Sequence, residues 1–169
     1  MCPLPRPSSH NMPSHFHTST PLAASAETMF DFHSDPHNLP EVMPPTLKLL
    51  SLKTDGPALE GRMIELHCRD WWIIPMRWTC RWKTVQRPHL LVDEIVKGPF
   101  ALFEHEHRFE EQGPSSCIMR DTVNYEWGCS WWGRFVSDTG VRFYLTLLFK
   151  YRHYRTRKWA VLKAGTQPS

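Results

Sequence analysis

Alternation of apolar and polar residues with a period of two dominates the middle of the chain. TLKLLSLK, GRMIELHCR, PMRWTCRWKTVQ, LLVDEIVK, ALFEHEHRFEE and SSCIMRDTVNYEW are six such runs, separated by short stretches rich in Pro, Gly, Asp and Ser. Successive side chains on a strand point to opposite faces, so each run predicts a half-buried β-strand. Connections as brief as KGPF and QGPS suit hairpins and leave no room for the crossover that a parallel pair requires. The six runs therefore predict an antiparallel meander. A shorter β-like pattern precedes them from His15 to Thr20, and Ser25 then stands as a helix N-cap ahead of Ala26, Met29, Phe30 and Phe32. That helix must stop before Pro36, and SDPHNLPEVMPP reads as a turn or a broken second helical turn.

The period changes near the end. From about Asp138 to Leu162, Val141, Tyr144, Leu145, Leu148, Phe149 and Tyr151 recur at helical spacing. A helix of roughly 20 residues is about 30 Å long. The order of strand, broken helices, six strands and a long helix predicts an α+β layer, with the helix packed on one face of a curved antiparallel sheet. Such a sheet can leave a cavity beneath the helix.

Length and composition narrow the class. A chain of 169 residues supports one core, and 41% hydrophobic with 22% charged residues is a globular balance. The Pro, Ser, His and Asn mixture of residues 1–13 reads as a disordered arm, residues 14–162 as a single domain and 163–169 as a flexible tail. No run approaches the roughly 18 apolar residues of a membrane span, and the first residues lack an apolar signal core, so the chain reads as soluble and cytoplasmic. A net charge of +3 is too weak to argue for nucleic acid. Five cysteines without a C-x-x-C pair support neither a disulfide framework nor a zinc knuckle, and Cys68, Cys80 and Cys117 fall in strand patterns as small core residues. Lys150, Arg152, Arg155, Arg157, Lys158 and Lys163 have no acid among them. They read as a solvated helix end favoured by the macrodipole, or as a transient contact with an anionic membrane surface.

ALFEHEHRFEE carries the most chemical information. One face holds Ala101, Phe103, His105, His107 and Phe109, the other Leu102, Glu104, Glu106, Arg108 and Glu110, so the first is the inner face. Buried imidazoles need partners, because an unpaired buried polar group costs about 1–3 kcal/mol. A hairpin centred near Pro99 places Asp93 across from His105, and one centred near Pro114 places Asp121 across from His107. Asp93, His105, His107, Asp121 and Tyr125 are therefore expected to form one buried polar patch. A carboxylate beside an imidazole suits three roles: a ladder that sets register, a ligand hydrogen bond, or general acid/base chemistry with His105, His107 and Asp121 as the candidates. The H-x-H pair with Asp121 also has the composition of a metal site, but H-x-H recurs at His15 and His17 and is unspecific, so no metal is assigned. His33 and His37 are separated by Pro36 and read as a surface turn. No G-x-S-x-G elbow, Walker loop or G-x-G-x-x-G fingerprint is present.

Several motifs in order carry a family likeness. FDFHSDPHNLP at 30–40, Pro75-Met76-Arg77-Trp78, Val92-Asp93-Glu94, Lys97-Gly98-Pro99-Phe100, His105-x-His107-x-Phe109 and Asp121-x-Val123-x-Tyr125 resemble the START-like SRPBCC superfamily, nearest its polyketide cyclase/dehydrase and ubiquinone-binding members. The likeness runs from about His15 to Trp159. Ile95 stands where related sequences often place Gln, and Phe103 where they often have Trp. The resemblance implies a helix-grip fold of about six to seven strands around the C-terminal helix, enclosing an apolar tunnel for a lipid, polyketide or quinone-like molecule. The expected lining is Trp78, Trp82, Asp93, Phe103, His105, His107, Phe109, Asp121, Tyr125, Tyr144 and Leu148, with no cofactor. The alternatives are a cyclase/dehydratase in which His105 or His107 moves a proton, and an interaction module whose cavity is filled by its own side chains.

Overall fold

The chain folds, in a computed structural model that describes residues 13–164 other than 72, 99 and 128–130, into one sheet and one long helix. The elements are β1 (Ser14–Leu22), α1 (Ala26–Ser34), a 3-10 turn (Pro36–Asn38), α2 (Leu39–Val42), β2 (Leu47–Thr54), β3 (Met63–Asp70), β4 (Ile74–Gln86), β5 (Leu90–Lys97), β6 (Phe100–Gly113), β7 (Ser116–Trp127) and α3 (Trp131–Ala164). The sheet is antiparallel throughout in the order β1-β7-β6-β5-β4-β3-β2. Six consecutive strands thus pair as a meander, and β1 closes on the last of them. Apart from Pro13, the arm expected at residues 1–13 lies outside the described residues. Of the expected tail, residues 163 and 164 are helical and the rest lies outside them too.

Local chemistry explains the helical punctuation. Ser25 caps α1 by accepting a hydrogen bond from the Thr28 amide at 3.2 Å. Asp35 then caps the 3-10 turn by accepting from the His37 amide, and Pro36 and Pro40 each stand in a first turn, where a missing N–H costs nothing.

Two expectations need correction. α3 has 34 residues, about 50 Å, rather than roughly 20, because it begins at Trp131 and runs through Gly140. A helical glycine costs about 1 kcal/mol, an amount that packing of the helix on β1, β7 and α2 outweighs. Ala101 is exposed rather than inward, because a register shift between Phe100 and Leu102 resets the alternation, and the partly buried Phe100 turns toward the interior instead.

The buried apolar residues form two clusters. One joins α1 and α2 to β3, β4 and β5 and to the middle of β6 and β7, through Met29, Phe30, Phe32, Ile64, Leu66, Leu91, Phe109 and Met119. The other joins α3 to β7 through Leu145, Phe149, Val123 and Tyr125. Phe109 sits deep in the first, 1% exposed, with Phe30 edge-on at 6.2 Å. Phe109→Ala is expected to lower unfolding stability by about 3–5 kcal/mol in a urea titration. A loss below about 1 kcal/mol contradicts its place in the core.

Candidate functional site

Strand pairing assembles the site. Asp93 on β5 lies opposite His105 on β6, and His107 lies opposite Asp121 on β7, as the alternation predicts. Paired residues in a ladder share a face, and here it is the face beneath α3. Asp121, 1% exposed, is the hub. Its Oδ1 accepts from His105 Nε2 at 3.1 Å and its Oδ2 from His153 Nε2 at 2.6 Å. His107 Nδ1 also lies 2.6 Å from Oδ1, but its poor alignment makes this a charge contact rather than a formed hydrogen bond. On the far side of the His105 ring, Nδ1 faces Asp93 Oδ1 at 3.6 Å.

An ionised carboxylate only accepts, so His105 and His153 present Nε2–H to Asp121. A neutral His105 then keeps its lone pair on Nδ1, toward Asp93. His33 donates from Nδ1 to the Met29 carbonyl at 2.8 Å, and its ring lies 5.2 Å from that of His107.

Electrostatics separates the two acids. Burial works to raise Asp121, yet the His107 charge and the hydrogen bonds from His105 and His153 hold it well below the usual carboxylate range. Asp93 lacks those donors. Burial pushes it up to about 6, against the pull of His107 and Arg152. Burial also lowers His105, against its Asp121 hydrogen bond, and lowers His107 with help from the His105 charge. His33 is pushed down to about 3 by burial and then by His107. The patch thus joins a carboxylate held ionised to an acid that titrates near neutrality, beside His105 and His107, whose burial disfavours their charged forms.

Above the patch, between sheet and helix, lies a cavity of about 370 Å³. Of the residues expected to line it, Trp78, Trp82, Asp93, Phe103, His105, His107, Tyr144 and Leu148 do so. Phe109, Asp121 and Tyr125 do not. Asp121 lies under the imidazoles it holds, and Phe109 packs on Phe30 and His33. The Tyr125 hydroxyl donates instead to Asp138 Oδ1 at 3.0 Å; burial and that bond push the phenol up to about 12, and it takes no part in the patch. Nor is the interior filled by its own side chains, as an interaction module would require.

Three residues at the site were not anticipated. His153 completes the Asp121 triad, Arg152 lines the cavity, and His33 faces it rather than forming a surface turn. The signal for the first two lay in the α3 stripe: Arg152 follows Tyr144 and Leu148, and His153 follows Leu145 and Phe149, at steps of four. His33 follows Met29 by the same step.

Asp93, His105 and His107 each bring one donor atom within 4.8 Å of the others, close enough for a divalent cation to bridge. The Arg152 guanidinium acts on the same acid and opposes a second cation there. Cys68 and Cys117 are pushed up to about 11 by burial, and Cys80 higher still, so none is a ready nucleophile.

A curved antiparallel sheet gripping a C-terminal helix over an internal cavity defines a helix-grip protein. The chain belongs to the polyketide cyclase/dehydrase and lipid transport family, which its residues 22–153 match. Solved structures of the same fold include a norcoclaurine synthase point mutant from Thalictrum flavum in complex with a transition-state analogue, at 15% identity and TM-score 0.68 over 93% of this chain and 99% of that one. The Zhui aromatase/cyclase from Streptomyces sp. R1128 gives 13% and 0.70 over 89% and 95%. A START superfamily protein from Mycobacterium smegmatis gives 19% and 0.62 over 86% and 98%. No curated protein sequence matches. Among the described residues, no helix is long and apolar enough to cross a membrane.

The raised Asp93 sets a pH dependence with a definite sign. Its carboxyl binds a proton more tightly folded than unfolded, so its contribution is favourable at low pH and is lost as pH rises from about 4 through about 6. Asp93→Asn is therefore expected to stabilise the protein at pH 7.5 by up to about 3 kcal/mol relative to its effect at pH 4. Thermal unfolding of both proteins at both pH values checks this; a difference that is flat with pH, or reversed, contradicts it.

Proposed function

We propose that the protein binds a hydrophobic small molecule, such as a lipid, polyketide or quinone-like compound, in the cavity between sheet and α3. The observation that carries this reading is a largely apolar hollow of about 370 Å³ with Asp93, His105, His107 and Arg152 gathered at one end. Ligand sites have this volume and this mixture of apolar wall and few polar groups. Burial of apolar ligand surface, at about 25 cal/mol per Å², drives binding, and the polar end orients the molecule. The family description includes lipid transport, which agrees.

A second reading, proton transfer in a cyclase/dehydratase-type reaction, draws on one feature of the site. Asp93, raised to about 6, faces the lone pair of His105, so an acid and a base meet at the cavity wall near neutral pH. Two of the structural neighbours are named as enzymes, but a shared fold does not carry chemistry across.

Leu148→Trp places a large ring in the cavity and is expected to weaken binding of the neutral dye Nile red at least about tenfold, an effect near 1.4 kcal/mol, with the fold retained by circular dichroism. Unchanged dye affinity contradicts the cavity as the binding site. For the second reading, His105→Gln is expected to abolish turnover of any substrate found, leaving its Kd within a few-fold; retained turnover excludes His105 as the base.

A further inference from the structure

Arg152 differs from the five surface arginines that pair with acids. Arg81, Arg87, Arg108, Arg120 and Arg155, on the surface, each pair with a carboxylate. Arg152 is partly buried, on the stripe of α3 that faces the sheet, and lines the cavity. It makes no hydrogen bond and no ion pair with any described residue; its guanidinium carbon lies 5.5 Å from the Phe149 ring. Burial lowers it from its ordinary value, although Asp121 and Asp93 pull the other way. Neither acid forms a hydrogen bond or ion pair with it. Asp121 is surrounded by three imidazoles, and Asp93 is directed at His105.

A partly desolvated cation whose one contact is an aromatic ring, with no hydrogen-bonding partner, is costly to keep against an apolar wall. An anionic group entering the cavity removes that cost. The planar guanidinium fork matches a carboxylate in two parallel hydrogen bonds, and one negative charge balances it one to one. A phosphate would bring further negative charge toward Asp93. Most of the wall is apolar and suits a hydrocarbon or aromatic body, although Asp35, Asn38 and Asp70 also line it.

We infer that the cavity selects an amphiphile with a single carboxylate head, held in a bidentate pair by Arg152, its apolar body lying along Trp78, Phe103, Tyr144 and Leu148. This rests on the cavity-binding reading above and specifies the ligand class. Neutral alcohols and esters with the same tail lack the matching charge.

The test is competition against Nile red by decanoic acid, decanol and methyl decanoate, with the full chain at pH 7.5. The acid is expected to bind at least about tenfold more tightly than either neutral compound. Arg152→Met is expected to erase the difference, and Arg152→Lys, which keeps the charge without the fork, to retain part of it. The wild-type and lysine measurements stand even if the methionine variant does not fold. Equal affinity for all three compounds in the wild type overturns this inference and leaves cavity binding intact, as does displacement of the dye by none of them. An acid preference that survives in Arg152→Met overturns the assignment to Arg152. Failure of the dye and all three compounds to bind overturns both readings.

Discussion

A carboxylate sealed inside an apolar interior is costly, by several kcal/mol, unless donors surround it. Asp121 is such a group, and much of the molecule is arranged to supply its donors. His105 donates to it from the neighbouring strand, where His107 makes a close contact, and His153 donates from α3, 32 residues further along the chain. Each imidazole is in turn oriented by the acid. The arrangement joins two strands and the helix through one atom pair, so the helix cannot slide along the sheet without exposing a buried charge. It also turns the free nitrogen of His105 away from Asp121 and toward Asp93.

A second polar tie acts nearer the start of α3. Asp138 Oδ1 accepts from Ser14 at 2.6 Å and from Tyr125 at 3.0 Å, binding the helix to β1 and β7. With these ties, α3 packs on β1, β7 and α2 rather than closely on β3, β4 and β5. Those three strands still present Ile64, Leu66, Trp78, Trp82 and Ile95 inward. The cavity is the space between that wall and a helix held to the other side of the sheet. It follows from where the helix is anchored rather than from missing bulk in the core.

The strands were legible because alternation survives wherever one face is buried, and the facing of Asp93 with His105 and of His107 with Asp121 followed from alternation and hairpin connection alone. Failures came where a local rule was overridden. Ala101 obeys the period on paper, but a bulge consumes one residue beside it. Gly140 looks like a boundary by propensity, yet tertiary packing carries the helix through it. Tyr125 has the right parity for the patch, and its hydroxyl is drawn away by Asp138, whose position depends on a helix starting seven residues earlier than expected. Arg152 and His153 were hidden by composition: inside a basic run, charge reads as solvent exposure, although both continue the apolar stripe of α3 at its own spacing.

Arg152, hidden in that basic run, bears on how a ligand is chosen within this fold. Structures sharing 13–19% identity with it have the same sheet and helix, so the architecture does not select a ligand. The polar end can. A core shaped by stability alone would leave position 152 apolar and would not hold Asp93 where burial raises its carboxyl to about 6. Both groups are incompletely satisfied by the protein around them and both line the cavity, whereas the more deeply buried Asp121 is surrounded by three imidazoles and does not. Where an incompletely satisfied group lines a cavity, a molecule entering that cavity is the natural candidate for its partner, and for the Arg152 guanidinium the partner proposed above is anionic.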